Sequence, residues 1–239
     1  MNSSTYAAKS LVNGGLRRLG YRIEKIVDAG ENRVDVFWLA LRLAMVRAGS
    51  EFFFVQIGAH NGVDDDPIRE FVVTYHLSGL LVEPQPLVFP ELTKNYAGEP
   101  QLIFENAAIS HKDGEAKMYY AKAETGEPTS FLATFRCDVL KSRIGRVAKI
   151  EEISVATRTF QTLFARHSIR RVDLLQIDAE GFDCEILKLF DFKAYSPMIV
   201  RFEHINLSRL DLAEAVTLLA NLGYHLHRDK IDVVAVRNN

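Results

Sequence analysis

Cysteine is scarce in this chain of 239 residues: there are two, Cys137 and Cys184. Neither belongs to a CxxC pair or lies near a histidine cluster with zinc-ligand spacing, which excludes the common structural zinc modules. Both are read as free thiols of a cytoplasmic protein, with Cys184 a small packed side chain in a helical stretch. Charge imbalance is also missing. Lys and Arg number 29 against 31 Asp and Glu, a formal net charge of -2. No global field draws the chain to nucleic acid or to an anionic membrane. Long apolar runs are absent too. The opening MNSSTYAAKSLVNGG lacks the continuous apolar core of a secretory signal. The most apolar early segment, 34–46, is interrupted by Arg42 and is too short and charged to span a bilayer. A helix packed on the domain is expected there. Repeats, low-complexity tracts and the GxGxxG fingerprint of dinucleotide cofactors are not found.

What is present fits a globular enzyme. Hydrophobic residues make up 48% and charged residues 25%, enough for a real core. The length suits one α/β domain, 51–239, preceded by an N-terminal helical extension, 1–50. Helices are expected near 15–27 and 34–48, the second stopped by Gly49-Ser50. From Phe52 a strand–turn–helix pattern repeats. Strands are read at 52–57, 79–82, 102–105, 117–120, 155–159, 172–177 and 198–202. Helices are read at 66–77, 89–96, 160–167, 181–190 and 210–222. A polar loop is expected at 124–130, and a loop with an Arg- and Lys-rich helix over 131–149. The segments 224–226 and 231–236 flank the turn Arg228-Asp229-Lys230 and predict a closing hairpin. Alternating strands and helices imply a mainly parallel sheet with helices on both faces. Ligands of such sheets bind where the strands end at their carboxyl side, so those residues carry the functional reading.

The first strand ends in Gly58-Ala59-His60-Asn61-Gly62, whose glycines allow a sharp turn and close approach to a ligand. Asp64, Asp65 and Asp66 follow; they suit helix capping but would repel a pyrophosphate. The second strand ends in Glu83-Pro84, about the right distance on for a carboxylate that accepts hydrogen bonds from ribose hydroxyls. After the third strand, Asn106 can meet an adenine edge or cap a turn, while Ala107 and Ala108 leave room for a flat ring. The apolar run from Leu174 to Ile177 delivers Asp178 and Glu180, which can position an acceptor hydroxyl, hold a cofactor amine or, with Glu203, bind a cation. Glu203-His204 ends the next strand, and His204 is the expected general base at neutral pH.

Taken in order, VQIGAHNGVDDDP, GLLVEPQP, ENAAIS, VATRTFQTLF, DLLQIDAEGFDCEIL and VRFEH resemble the FkbM-type methyltransferases over about residues 52–207. The resemblance implies a class I methyltransferase fold, a Rossmann-like seven-stranded sheet with helices on both faces and an antiparallel last strand. It implies S-adenosyl-L-methionine as cofactor and O-methylation of a sugar, glycan or natural product. Gly58, Ala59, His60, Asn61 and Gly62 would pass beneath the methionine part. Glu83 and Pro84 would hold the ribose, Asn106 and Ala107 would lie near the adenine, and Asp178 and Glu180 would line the site. His60 departs from the residue usual at its position. The implied catalytic set is His204, Asp178 and Glu203. The implied partner is a small-molecule or carbohydrate acceptor rather than nucleic acid. The stretches 124–130 and 136–149 offer a lid, and the N-terminal helices a homo-oligomer contact. A nicotinamide-dependent oxidoreductase and a non-catalytic module binding an adenosyl ligand are the alternatives.

Overall fold

The computed structural model describes residues 35–123, 128–144, 148–229 and 231–237, and the chain from Val36 onward forms one compact unit. The helix expected at 15–27 lies outside the described residues. Helix α1, Val36–Ala48, precedes the first strand, β1, Phe53–Ile57. Then come α2 (Arg69–Tyr75), β2 (Ser78–Val82), α3 (Phe89–Asn95), β3 (Leu102–Glu105) and the short β4 (Ala108–Ile109). After β5 (Gly114–Ala123), β6 (Pro128–Thr134), α4 (Cys137–Ile144) and β7 (Ala148–Arg158), the alternation resumes with α5 (Phe160–Arg166) and β8 (Leu174–Ile177). The remaining elements are α6 (Asp183–Leu189), α7 (Phe192–Tyr195), β9 (Ile199–Glu203), α8 (Arg209–Asn221), β10 (His225–Arg228) and β11 (Asp232–Val236).

The main sheet has seven strands in the order β10-β11-β9-β8-β1-β2-β3. The pairs β9–β8, β8–β1, β1–β2 and β2–β3 are parallel, whereas β11 runs antiparallel to β9 and to β10. The parallel strands are apolar on both faces because both faces are covered. On one face Val55, Leu80, Leu175 and Val200 pack with Leu163 of α5, Leu187 of α6 and Leu219 of α8. On the other, Phe54, Leu81, Leu174 and Ile199 pack with Leu41 of α1, Val72 of α2 and Leu92 of α3. Caps set the helix starts. The Ser208 hydroxyl accepts from Asp211 N at the head of α8, and the Thr159 hydroxyl accepts from Thr162 N at the head of α5.

The sequence misses the second sheet. Strands β4, β7, β5 and β6 form a four-stranded layer in that order. The antiparallel β5–β7 ladder runs from Gly114 opposite Thr157 to Ala123 opposite Ala148. Residues 131–134 and 148–149, expected as loop and helix, are strand; only Cys137–Ile144 is helical there. A small apolar cluster, Ala108, Met118, Ala133 and Val155, holds the layer together.

Candidate active site

Strand order reverses at the β1–β8 junction, and the crevice at the carboxyl ends opens there. Gly58 sets its floor. Its φ is +78°, and a Cβ would lie 1.8 Å from the carbonyl oxygen of Asp178. Only glycine lets β1 turn away this close to the end of β8. The turn also ties β1 to β2: Gly58 N donates to Val82 O at 2.9 Å, and His60 N donates to Glu83 Oε2 at 2.8 Å. Glu83 Oε1 accepts from Gln85 N at 2.8 Å. Glu83 is buried, and burial pushes its carboxyl up to about 7 against these two hydrogen bonds, with the Asp178 charge adding to the rise.

A second group of acids gathers where β8 and β9 end. Asp183, at the first turn of α6, is fully enclosed; its Oδ1 accepts from Glu203 N at 3.2 Å and its Oδ2 from Gly181 N at 3.2 Å. It braces the two strand ends from below. Burial, then the Asp178 charge, pushes its carboxyl up to about 8. Glu203 rises to about 8 as well, through burial and then the charges of Asp178, Glu180 and Asp183. Asn206 links two of these acids, its Nδ2 donating to Glu180 Oε2 at 2.8 Å and also to Glu203 Oε2.

Glu83, Asp178, Glu180 and Glu203 border one cavity of about 590 Å³, within the usual range for a small-molecule site of roughly 300–1,000 Å³. Gly58, Ala59, His60, Glu83, Pro84, Ala107, Asp178, Glu180 and Glu203 line it. An apolar wall comes from Ala108 and Ile109, from Met118 and Ala133 of the second sheet, and from the pair Phe135 and Phe182, whose rings are 5.5 Å apart. The Thr134 hydroxyl donates to Glu180 O at 2.8 Å and so fastens the second sheet to the site.

Four of the expected residues stand outside the lining. Asn61 closes its own turn, its Oδ1 accepting from Val63 N and Asp64 N, both at 3.0 Å. Gly62 is packed against the Tyr96 ring and Leu92. Asn106 Nδ2 donates to Glu83 O at 2.8 Å and steadies the end of β2. His204 is buried beside the closing hairpin, with Nε2 3.1 Å from Asp229 O and 3.2 Å from Arg228 Nε. Successive residues along an extended chain point to opposite sides, so Glu203 faces the cavity and His204 turns away. Of the basic stretch expected as a lid, Arg136 is held by Asp138 at 2.8 Å and Asp211 at 3.3 Å. Gln56, Gln176, Arg201 and Asp232 line the cavity unforeseen. The signal for Gln56, Gln176 and Arg201 was a polar residue inside an apolar strand, whereas Asp232 begins β11.

Among the described residues, no helix is long and apolar enough to cross a membrane, and no three His, Cys, Asp or Glu side chains are grouped to hold a metal ion. No curated protein matches the chain. Among solved structures, the methyltransferase FkbM from Methylobacillus flagellatus KT is similar at 11% identity, over 77% of this chain and 42% of that one, with a TM-score of 0.49. The chain thus spans less than half the length of that protein. The N-terminal domain of human METTL16 is similar at 11% identity over 96% of this chain and 80% of that one, with a TM-score of 0.47. Its complex with SAH is similar at 12% identity over 98% and 82%, with a TM-score of 0.42. The family model described as the methyltransferase FkbM domain matches residues 56–226, which include the glycine turn, the acids at the ends of β2, β8 and β9, and the whole of β2, β3, β8 and β9 of the main sheet. The chain therefore belongs to the FkbM methyltransferase domain family, and its fold is that of the class I methyltransferases.

Proposed function

We propose that the cavity is the active site of an S-adenosylmethionine-dependent O-methyltransferase whose acceptor is a hydroxyl of a small or carbohydrate-like molecule. The observation that carries this reading is the buried Glu83 carboxylate facing the cavity directly behind the Gly58 turn. The residues present fit the cofactor. Each Glu83 oxygen accepts one backbone N–H, and a carboxylate has capacity for further donors such as ribose hydroxyls. Ala107, Ala108 and Met118 offer a flat apolar slot for adenine. When bound, S-adenosylmethionine supplies a methyl group carried on a positively charged sulfur.

The chain's own task is to bind, align and take up a proton. Carboxylates around the cavity favour a cationic ligand over an anionic one. The apolar wall of Phe135 and Phe182 keeps bulk water from that side. Glu203 is the proposed base, with Asp178 beside it. A carboxylate whose proton affinity is raised accepts a proton from an acceptor hydroxyl more readily than an ordinary one. A homo-oligomer contact through α1 and the residues before it, and a cytoplasmic location, belong to the same proposal.

Calorimetric titration with S-adenosylhomocysteine, with NAD in parallel, tests the proposal. Saturable binding of the former alone supports it; binding of NAD alone moves the chain to the oxidoreductases. His204, packed against the hairpin, is proposed as a structural residue. We expect His204→Ala to lower the melting temperature by roughly 3–8 °C, as for loss of one or two kcal/mol in a domain of this size. Turnover per folded molecule should stay within about threefold of wild type, since a missing general base would cost about a hundredfold or more. A folded variant without turnover returns His204 to the chemistry.

A further inference from the structure

The register of the main sheet sets Gln56 beside Gln176, and Gln176 beside Arg201, on three adjacent parallel strands. Two residues earlier on the same face the row is Phe54, Leu174 and Ile199, all fully buried and apolar. The polar row is therefore a break in the sheet's own pattern, placed just below the carboxyl ends. Gln56 is 3% exposed and Gln176 is 1% exposed, and both line the cavity. Neither carbonyl oxygen, Oε1 of Gln56 or Oε1 of Gln176, has a hydrogen-bond partner among the described residues. The amide group of Gln56 donates to Asp66, which fixes the opposite end, the oxygen, as the free one. Buried acceptors are rarely left unpaired in folded proteins, so two side by side call for donors from elsewhere.

Arg201 completes the row. Its guanidinium is paired with Asp232 and lies over the Phe37 ring, 5.1 Å from its centre. It supplies donors while its charge is already balanced. Eight of the cavity's lining residues are acidic, and Arg201 is the one Lys or Arg among them. Among the described residues that line the cavity, a phosphate or carboxylate entering here meets repulsion with no unpaired Lys or Arg to offset it. The row also stands apart from the slot proposed for the adenosyl group. Glu83 and Ala107–Ala108 follow β2 and β3, on one side of β1, whereas Gln176 and Arg201 belong to β8 and β9 on the other.

We propose that Gln56, Gln176 and Arg201 form the acceptor-binding floor, and that it selects an uncharged acceptor presenting two hydroxyl groups while excluding phosphorylated and other anionic ones. This rests on the methyltransferase reading and specifies its substrate class. The two carbonyls, about one strand spacing or 4.8 Å apart at their backbones, each receive a hydroxyl proton. The Arg201–Asp232 pair offers one donor and one acceptor at the edge.

The test uses the full chain saturated with S-adenosylhomocysteine. Binding of a set of neutral methyl glycosides, and of the corresponding sugar phosphates, is measured by saturation-transfer NMR. Gln56→Met and Gln176→Met keep side-chain volume and remove the carbonyls. We expect a neutral glycoside to bind wild type at least tenfold better than its phosphate, and each variant to weaken it at least fivefold. Affinity for S-adenosylhomocysteine should stay within twofold in both variants, and free Gln56→Met should melt lower than wild type, because it also loses the donor to Asp66. Tighter binding of the phosphates, equal glycoside binding by the variants, or no glycoside binding at all overturns the proposal. A tenfold loss of S-adenosylhomocysteine in the Met variants also overturns it, by assigning the carbonyls to the cofactor. Failure of wild type to bind S-adenosylhomocysteine is a separate result, and it sinks the methyltransferase reading instead.

Discussion

Glu83→Gln is expected to weaken S-adenosylhomocysteine by a factor on the order of 10²–10⁴, because two hydrogen bonds to a charged acceptor are each worth about 1.5–3 kcal/mol. The carboxylate holds His60 N on one oxygen and Gln85 N on the other. A glutamine amide can serve one of these donors, and its NH₂ must then face the other. Wild type itself should bind more weakly as the pH falls through about 7, where burial places the Glu83 carboxyl. The sign follows from which form is the acceptor: the ionised carboxylate binds hydroxyl donors, and protonation removes it. The variant should show no such dependence. Calorimetry from pH 6 to 8.5 on both proteins checks this. Equal affinities, or a parallel pH dependence in the variant, would remove Glu83 from the ribose.

Glu203→Gln is expected to lower kcat by about 10²–10⁴, the usual contribution of a positioned general base, with little change in cofactor affinity. Its carboxyl lies at about 8 because it is buried among Asp178, Glu180 and Asp183. Turnover by wild type should therefore climb with pH and level off above about 8, as the carboxyl loses its proton and becomes able to accept one. The variant should be slow and flat over that range. The measurement is S-adenosylhomocysteine formed per minute with whichever hydroxylated acceptor supports turnover. A variant that keeps wild-type kcat and its pH profile would pass the role to Asp178.

The parallel core was legible because its strands are buried on both faces. Segments such as Phe53–Ile57 and Leu174–Ile177 are nearly continuous apolar runs that nothing else explains. The second sheet was not legible for the converse reason. Strand β7 carries Lys149, Glu151 and Glu152 in its first half, and β6 begins at Pro128, so both resemble loop by composition. Their pairing comes from a long-range ladder with β5 that no local window contains. At the site, Glu83, Asp178, Glu180 and Glu203 were readable because strand ends in a parallel sheet converge on one edge. Gln56 and Gln176 were hidden as single polar residues within apolar strands. Their significance lies in register, which a linear sequence does not display. For His204 the sequence supplies adjacency to Glu203, while the pleat separates the two.

The acids braced beneath the site have a consequence for protons. Burial lifts Glu83 to about 7 and Asp183 and Glu203 to about 8, all far above the ordinary carboxylate range. The folded chain thus keeps protons that the unfolded chain gives up. The contribution of these three groups to stability is therefore fully present below the ordinary carboxylate range and is lost as the pH rises to about 8. A ligand bearing positive charge favours the ionised forms, so its arrival expels protons into solution. The heat of binding will then include the ionisation heat of whatever buffer catches them, and the same titration in phosphate and in Tris will return different enthalpies for one affinity.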